Sequence, residues 1–169
     1  HLDAGGRGHP GAARCLPVIV AEPRDAAARG AALYGSWLCG TVLGTVGMAL
    51  HHKLCHTLGG SFDLPHAETH AVLIPHTAAF NAIAAAPALK PAADLFGGAI
   101  GPGLWDFAAA LGAPMALRDL GLAEADLDHA ADLAAQNPYW NPRPIARDGL
   151  RALLQDAWAG HRPQLGASA

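Results

Sequence analysis

Six of the ten histidines fall within 26 residues: His51, His52, His56, His66, His70 and His76. Imidazole titrates near neutral pH, ligates metals and moves protons, so this concentration in a background of Ala, Leu and Gly marks the place to look for chemistry. On a helix, His52 and His56 stand four residues apart and project from one face, their Cβ atoms about 5–6 Å apart. His51 and Lys53 point roughly 100° to either side of His52, so the whole string cannot meet at one atom. A turn through Gly59-Gly60 brings the next helix back towards the pair, so that His52, His56 and His66 line one pocket. At a helix N-terminus the His66 ring is held neutral by the dipole, able to ligate a metal or accept a proton.

Plainer accounts compete at each position. A single histidine is more often a packed or exposed ring than a ligand, and His51, His70 and His76 are each read that way. His70 is the exception to watch, one turn after His66. His66-Ala67-Glu68-Thr69-His70 has the outline of a zincin helix, but that motif needs glutamate directly after the first histidine, and here it is displaced by one. Cys55, beside Leu54 on an apolar helix, reads as a buried inert thiol. Lys53 either attracts an anionic substrate or snorkels from a helix end.

These residues need helices to position them, and helical patterns dominate. The first runs over Asp25 to Cys39 with Ala28, Ala32, Leu33, Ser36 and Trp37 as its stripe. Gly40 breaks or kinks it before a second helix, Thr41 to Leu58, whose apolar character all round implies burial within a bundle. Gly59-Gly60 ends that helix, Pro65 opens the third, and Pro75 kinks or restarts it. Leu104 to Leu111, Glu124 to Gln136 and Pro144 to Ala159 follow as amphipathic helices, with Asn137 to Pro144 an ordered loop. The one β-branched run, Leu16 to Val20, is interrupted by Pro17, and no Gly-rich strand-turn-helix unit for a dinucleotide is present.

With 169 residues, 51% of them hydrophobic, the chain can bury one good core. A formal net charge of −3 and scattered Lys and Arg exclude nucleic acid as a partner. Cys15, Cys39 and Cys55 contain no CxxC pair and do not close a disulfide framework, which fits a reducing, cytoplasmic setting. The longest uncharged stretch, Ser36 to Leu50, is 15 residues, short of the roughly 20 that a membrane span requires. We therefore expect an all-α fold: an irregular segment over 1–12, a helical catalytic domain over 13–162 and a disordered tail over 163–169.

Three stretches carry a family resemblance: Ala32-Leu33-Tyr34-Gly35-Ser36-Trp37-Leu38-Cys39-Gly40, His51-His52-Lys53-Leu54-Cys55-His56-Thr57-Leu58-Gly59-Gly60, and Leu64-Pro65-His66-Ala67-Glu68-Thr69-His70-Ala71. With Asn137-Pro138-Tyr139 and Asn141-Pro142-Arg143-Pro144, they closely resemble the maleylacetate reductase branch of the iron-containing alcohol dehydrogenase superfamily. The likeness runs from about Ala13 to Arg162. It implies the C-terminal helical domain of a two-domain enzyme whose active site lies in the cleft against a nucleotide-binding domain. It implies a reaction in which NADH or NADPH reduces maleylacetate to 3-oxoadipate during bacterial breakdown of aromatic rings.

The resemblance also implies roles. His52 and His66 match two metal-ligating histidines of metal-dependent relatives, and His56 matches a histidine beside the nicotinamide. The upstream Asp-x-x-x-His that completes the family's iron or zinc site is missing, since no aspartate before position 51 has a histidine four residues later. Without metal, His52, His56, His66 and Lys53 would supply protons and positive charge to a dicarboxylate substrate. The expectation is a helical reductase domain separated from its nucleotide-binding partner and inactive alone. The alternatives are a noncatalytic association module, such as a homodimer, or a metal-binding helical protein using His52, His56 and His66.

Overall fold

The computed structural model describes residues 13–164, and every regular element among them is helical. The irregular opening expected over 1–12, and the tail from 165 on, lie outside the described residues. The chain divides into two compact units, residues 1–47 and 48–169.

The first unit contains α1, over residues 13–21, and α2, Ala26–Leu43. The β-branched run at 16–20 is thus helical: with no partner strand, only a helix satisfies its backbone locally. Asp25 caps α2 by accepting the Ala28 N–H at 2.8 Å. The break expected at Gly40 falls at Gly44 instead, because Gly40 keeps its place in the ladder and its carbonyl accepts the Gly44 N–H at 3.0 Å. The expected stripe is also corrected: Ala28, Gly35 and Leu38 are buried, whereas Leu33 and Trp37 are 71% and 62% exposed. Thr41 to Met48 is not a buried helix, for the chain is irregular over 44–49 and Leu43, Val46 and Met48 are exposed.

The second unit holds α3 (Leu50–Phe62), α4 (His66–Asn81), α5 (Ala86–Leu95), α6 (Ile100–Ala110), α7 (Leu127–Ala135) and α8 (Arg147–Ala159). Short 3₁₀ turns at Leu117–Leu120 and Glu124–Asp126 lead into α7. The core takes Leu50, Leu54 and Leu58 from α3, Leu73 from α4, Leu127 from α7, and Leu150 and Leu154 from α8, each fully buried. The fourfold spacing on α3 lays one leucine edge towards the core and leaves the histidines on the flanks. α4 is the central helix, packed against α3, α6 and α8.

Two sequence signals for helix ends mislead. Gly59 and Gly60 remain helical; α3 ends at Phe62, where Asp63 takes the left-handed conformation at φ 53°. Pro75 lies inside an unbroken α4, which neighbouring helices hold on both sides. Gly101 of α6 lets that contact close, since a Cβ there would lie 2.5 Å from the Ala79 Cβ and 2.8 Å from the Pro75 carbonyl oxygen. α5 has no buried residue and carries Pro87 and Pro91, which erased its pattern from the sequence. No helix among the described residues is long and apolar enough to cross a membrane.

Candidate active site

The histidines gather where α3 runs beside the first half of α4. The His66 and His70 rings, one turn apart on α4, have centroids 4.4 Å apart, and His70 stands 5.3 Å from His52 and 4.8 Å from His51. His52 and His56, one turn apart on α3, are separated by 6.0 Å. The turn after α3, at Asp63 and not at Gly59-Gly60, returns His66 beside His70, which stands against His51 and His52; the expected single pocket of His52, His56 and His66 does not form, since the cavity that His56 lines includes neither of the others.

His56 faces the loop after α7, its Nδ1 3.4 Å from the Tyr139 hydroxyl. The Lys53 ammonium lies 5.8 Å from the centroid of the Tyr139 ring. Lys53, His56 and Tyr139, with Thr57, Ser61, Leu133, Gln136 and Asn137, line an open cavity of about 320 Å³. The loop is held by a reciprocal amide pair, Asn81 and Asn141, at 3.0 and 2.7 Å, and by Arg143, which donates to the Phe80 carbonyl at 3.3 Å. Lys53, read from sequence as either anion-attracting or snorkelling, thus stands at a polar cavity.

Burial and mutual repulsion lower the pKa of three of these rings. Burial, then the nearby His56 and His66, lower the pKa of His52; burial, then His66, His52 and His56, lower that of His70. Burial, with His70 and His52, pushes His51 down to about 3. These three rings resist a second proton beside their neighbours, so His51, His52 and His70 are held towards the neutral form.

His51 does not point idly away from the site. Its Nε2 is 3.0 Å from His70 Nδ1, and its Nδ1 is 3.2 Å from Thr77 Oγ1. Sequence reasoning missed Thr77, Tyr139 and this use of His51. A signal existed for Thr77 and His51: His70 and Thr77 are seven apart on one face of α4, and His51 shares the face of Cys55 and Leu58 on α3. Tyr139 lies 83 residues from His56, and no periodicity links them.

Cys55 behaves as the inert thiol expected. It is 1% exposed, and burial pushes its pKa up to about 12. Among the described residues, the three metal-capable side chains whose donor atoms all lie within 4.8 Å of one another are His51, Cys55 and His70. In that set the donor atoms are already engaged with one another, His51 Nε2 lying 3.0 Å from His70 Nδ1 and 3.8 Å from Cys55 Sγ. The rings of His52, His66 and His70 cluster, but their donor atoms do not converge as those of His51, Cys55 and His70 do, so the described residues do not assemble a three-histidine metal site; His70 Nε2 is buried without any hydrogen-bond partner. Such an orphaned atom in a native interior asks for an explanation.

The described residues thus place imidazoles on two adjoining helices of an all-α unit, beside a polar cavity that Lys53 lines. The chain belongs to the iron-containing alcohol dehydrogenase family: residues 12–158 match the model described as "Fe-containing alcohol dehydrogenase family, C-terminal". Among curated proteins, maleylacetate reductase from Rhizobium sp. (strain MTP-10005) is 61% identical over 149 residues, covering 88% of this chain and 42% of that protein. The maleylacetate reductase of Pseudomonas knackmussii is 53% identical over 151 residues, covering 89% and 43%. The crystal structure of maleylacetate reductase from Agrobacterium tumefaciens superposes with a TM-score of 0.92 at 59% identity, covering 94% of this chain and 45% of that one. The chain thus spans less than half the length of these relatives. The family and the all-α class read from the sequence both stand.

Proposed function

We propose that this chain supplies the substrate-binding and proton-donating half of a maleylacetate reductase site. The observation that carries the reading is Lys53, His56 and Tyr139 together on one polar cavity beside the imidazole cluster. The overall reaction adds a hydride to one carbon of the substrate's conjugated C=C bond and a proton to the other. A reduced nicotinamide supplies the hydride when bound, and the resemblance implies that a separate nucleotide-binding domain holds it.

This chain's own residues would manage the dicarboxylate and the proton. Lys53 offers an ammonium to a substrate carboxylate at the rim of the cavity. His56, with Nδ1 committed to Tyr139, has Nε2 left to deliver the proton to the carbon that becomes negative as hydride arrives. His52 and His70, their pKa values lowered by burial and by neighbouring rings, favour an anion little by themselves. If a metal is held, His52 and His66 would hold it, supplying a Lewis acid to the substrate's oxo group.

On this reading the chain alone does not turn over, and the cleft forms only with a nucleotide-binding domain. In a complete enzyme carrying this domain, Lys53→Met raises KM by about tenfold or more, the worth of one charge-assisted hydrogen bond. His56→Ala lowers kcat by roughly 10²–10⁴ with a smaller change in KM. If both substitutions left kcat and KM unchanged, the assignment of this cavity would be wrong.

A noncatalytic association module is the second reading. The stacked Tyr34 and Trp37 on α2 are 58% and 62% exposed, an apolar surface suited to a second copy or another domain. A chain that dimerises through α2 and forms no active complex with a nucleotide-binding domain would favour it.

A further inference from the structure

Asn137 holds a backbone conformation that the end of α7 does not require. Its φ is 47°, in the left-handed region, and among the described residues only Asp63 shares that region without being glycine. Elsewhere the left-handed residue closes a helical segment. After Gly97, Gly112, Gly121 and Gly160 the next N–H returns to the carbonyl five residues back, at 2.7, 3.1, 3.2 and 2.9 Å. Asp63 does the same work with its own N–H, which returns to the Leu58 carbonyl. After Asn137 comes Pro138, which has no N–H to return, and Gln136 before it is already extended at φ −75° and ψ 131°. The turn at Asn137 therefore ends nothing. A residue before proline is kept out of the right-handed α region, so Asn137 chooses between an extended course, running straight on from Gln136, and a left-handed one that turns the chain.

We propose that Asn137 is a positioning residue of this site: its left-handed backbone brings Tyr139 back onto α3, where the phenol meets His56 and closes one side of the cavity that Lys53 lines. Tyr139 is two residues on, its hydroxyl 3.4 Å from His56 Nδ1, and Gln136, Asn137 and Tyr139 all line that cavity. The far end of the loop is fixed independently. The Asn141 side-chain amide donates to Asn81 Oδ1 and to the Arg143 carbonyl, both at 2.7 Å, which uses its two N–H groups. Residues 138–140 thus run between a helix end and a pinned amide, with the φ of Pro138 set by its ring, and the torsions of Asn137 decide where Tyr139 points. Asparagine tolerates the left-handed region better than other residues with a side chain, whereas a β-branched residue is strained there. Such conformations persist where the surroundings hold them, at sites whose geometry matters. The inference rests on the proposed function for its chemistry, since it is His56 that the turn orients.

The test uses the isotope-labelled 169-residue chain with neither cofactor nor substrate, so its outcome is separate from that of the reductase reading. Two signals report the contact: NOEs between the Tyr139 and His56 rings, whose centroids are 6.4 Å apart, and the ¹⁵N shift of His56 Nδ1, with Tyr139→Phe giving the value without the hydroxyl. Asn137→Val should lose the NOEs and move Nδ1 to the Tyr139→Phe value. Asn137→Gly, which keeps the left-handed backbone and removes the side chain, should retain both signals. Should the valine variant fail to fold, Asn137→Ala, which also disfavours the left-handed region, replaces it. NOEs and Nδ1 shift kept in Asn137→Val or Asn137→Ala, or lost in Asn137→Gly, overturn the proposal; the last outcome would give the role to the side chain. In a complete enzyme carrying this domain, Asn137→Val should lower kcat by roughly 10–100-fold with a smaller change in KM, and Asn137→Gly should recover most of that loss. A kcat that stays level while the NOEs vanish would leave the turn as described and refute the part given to His56.

Discussion

His76 makes acid the most informative perturbation of this fold. The ring lies on α4 in the core, 4% exposed, and its Nε2 has no hydrogen-bond partner. Burial pushes its pKa from 6.5 down to about 4; Asp156 on α8 opposes that shift and His161 adds to it. Below pH 6.5 the unfolded chain takes up a proton that the folded chain refuses until about pH 4, so stability is full above 6.5 and falls as the pH drops between the two values. Each pKa unit is worth about 1.4 kcal/mol, which gives a loss of about 2 kcal/mol between pH 7 and pH 5 from this one ring. With a urea slope of about 1–3 kcal/mol per molar, the unfolding midpoint of the second unit should fall by roughly 1 M over that range. The comparison is with His76→Leu, which removes the titrating group and keeps an apolar side chain of similar size, so its midpoint should depend on pH less steeply by that amount. Parallel midpoint curves for the two proteins, or a wild type growing more stable as the pH falls to 5, would refute the reasoning.

Other expectations follow from packing and burial. Gly101→Ala forces a methyl into the α4–α6 contact, 2.5 Å from the Ala79 Cβ, and should lower stability by about 1–3 kcal/mol in urea unfolding. Leu54→Ala empties a fully buried position on the α3 edge and should cost about 2–5 kcal/mol in the same assay. Cys55, at 1% exposure with its pKa near 12, should resist a thiol reagent at pH 8 until urea is added, while Cys15 and Cys39 react in the folded protein. Labelling of all three at equal rates in native buffer would contradict the buried position of that thiol.

How much of this was legible in the sequence depended on the range over which each signal acts. The i, i+4 spacing of His52 and His56 and the return of His66 across a short connection are local, and the structure keeps both. The leucines of α8 read correctly for the same reason: Leu150, Leu153, Leu154 and Ala157 make a stripe that only a helix produces, and all are buried. Helix ends read poorly because Gly40, Gly59, Gly60 and Pro75 carry real but small local penalties, which packing and an intact ladder outweigh. Asp63 took the left-handed position that glycine was expected to fill. The apolar face of α2 misled in a different way: hydrophobic spacing names a face but not its cover, and Leu33 and Trp37 are exposed. Tyr139 escaped because its link to His56 is made by tertiary structure alone. Thr77 escaped because a threonine on a buried helix face ordinarily satisfies itself on its own backbone, as Thr57 and Thr69 do.

The central claim is that this chain holds the substrate half of a reductase site and needs a nucleotide-binding half to work. It is tested most directly by following maleylacetate-dependent NADH oxidation with the purified chain, alone and after addition of the part of the Rhizobium relative that this chain does not match. The account predicts no turnover and no tight NADH binding by the chain alone, with turnover appearing on mixing and lost in His56→Ala. Turnover by the chain alone, or a mixed complex that forms and stays inactive, would contradict it.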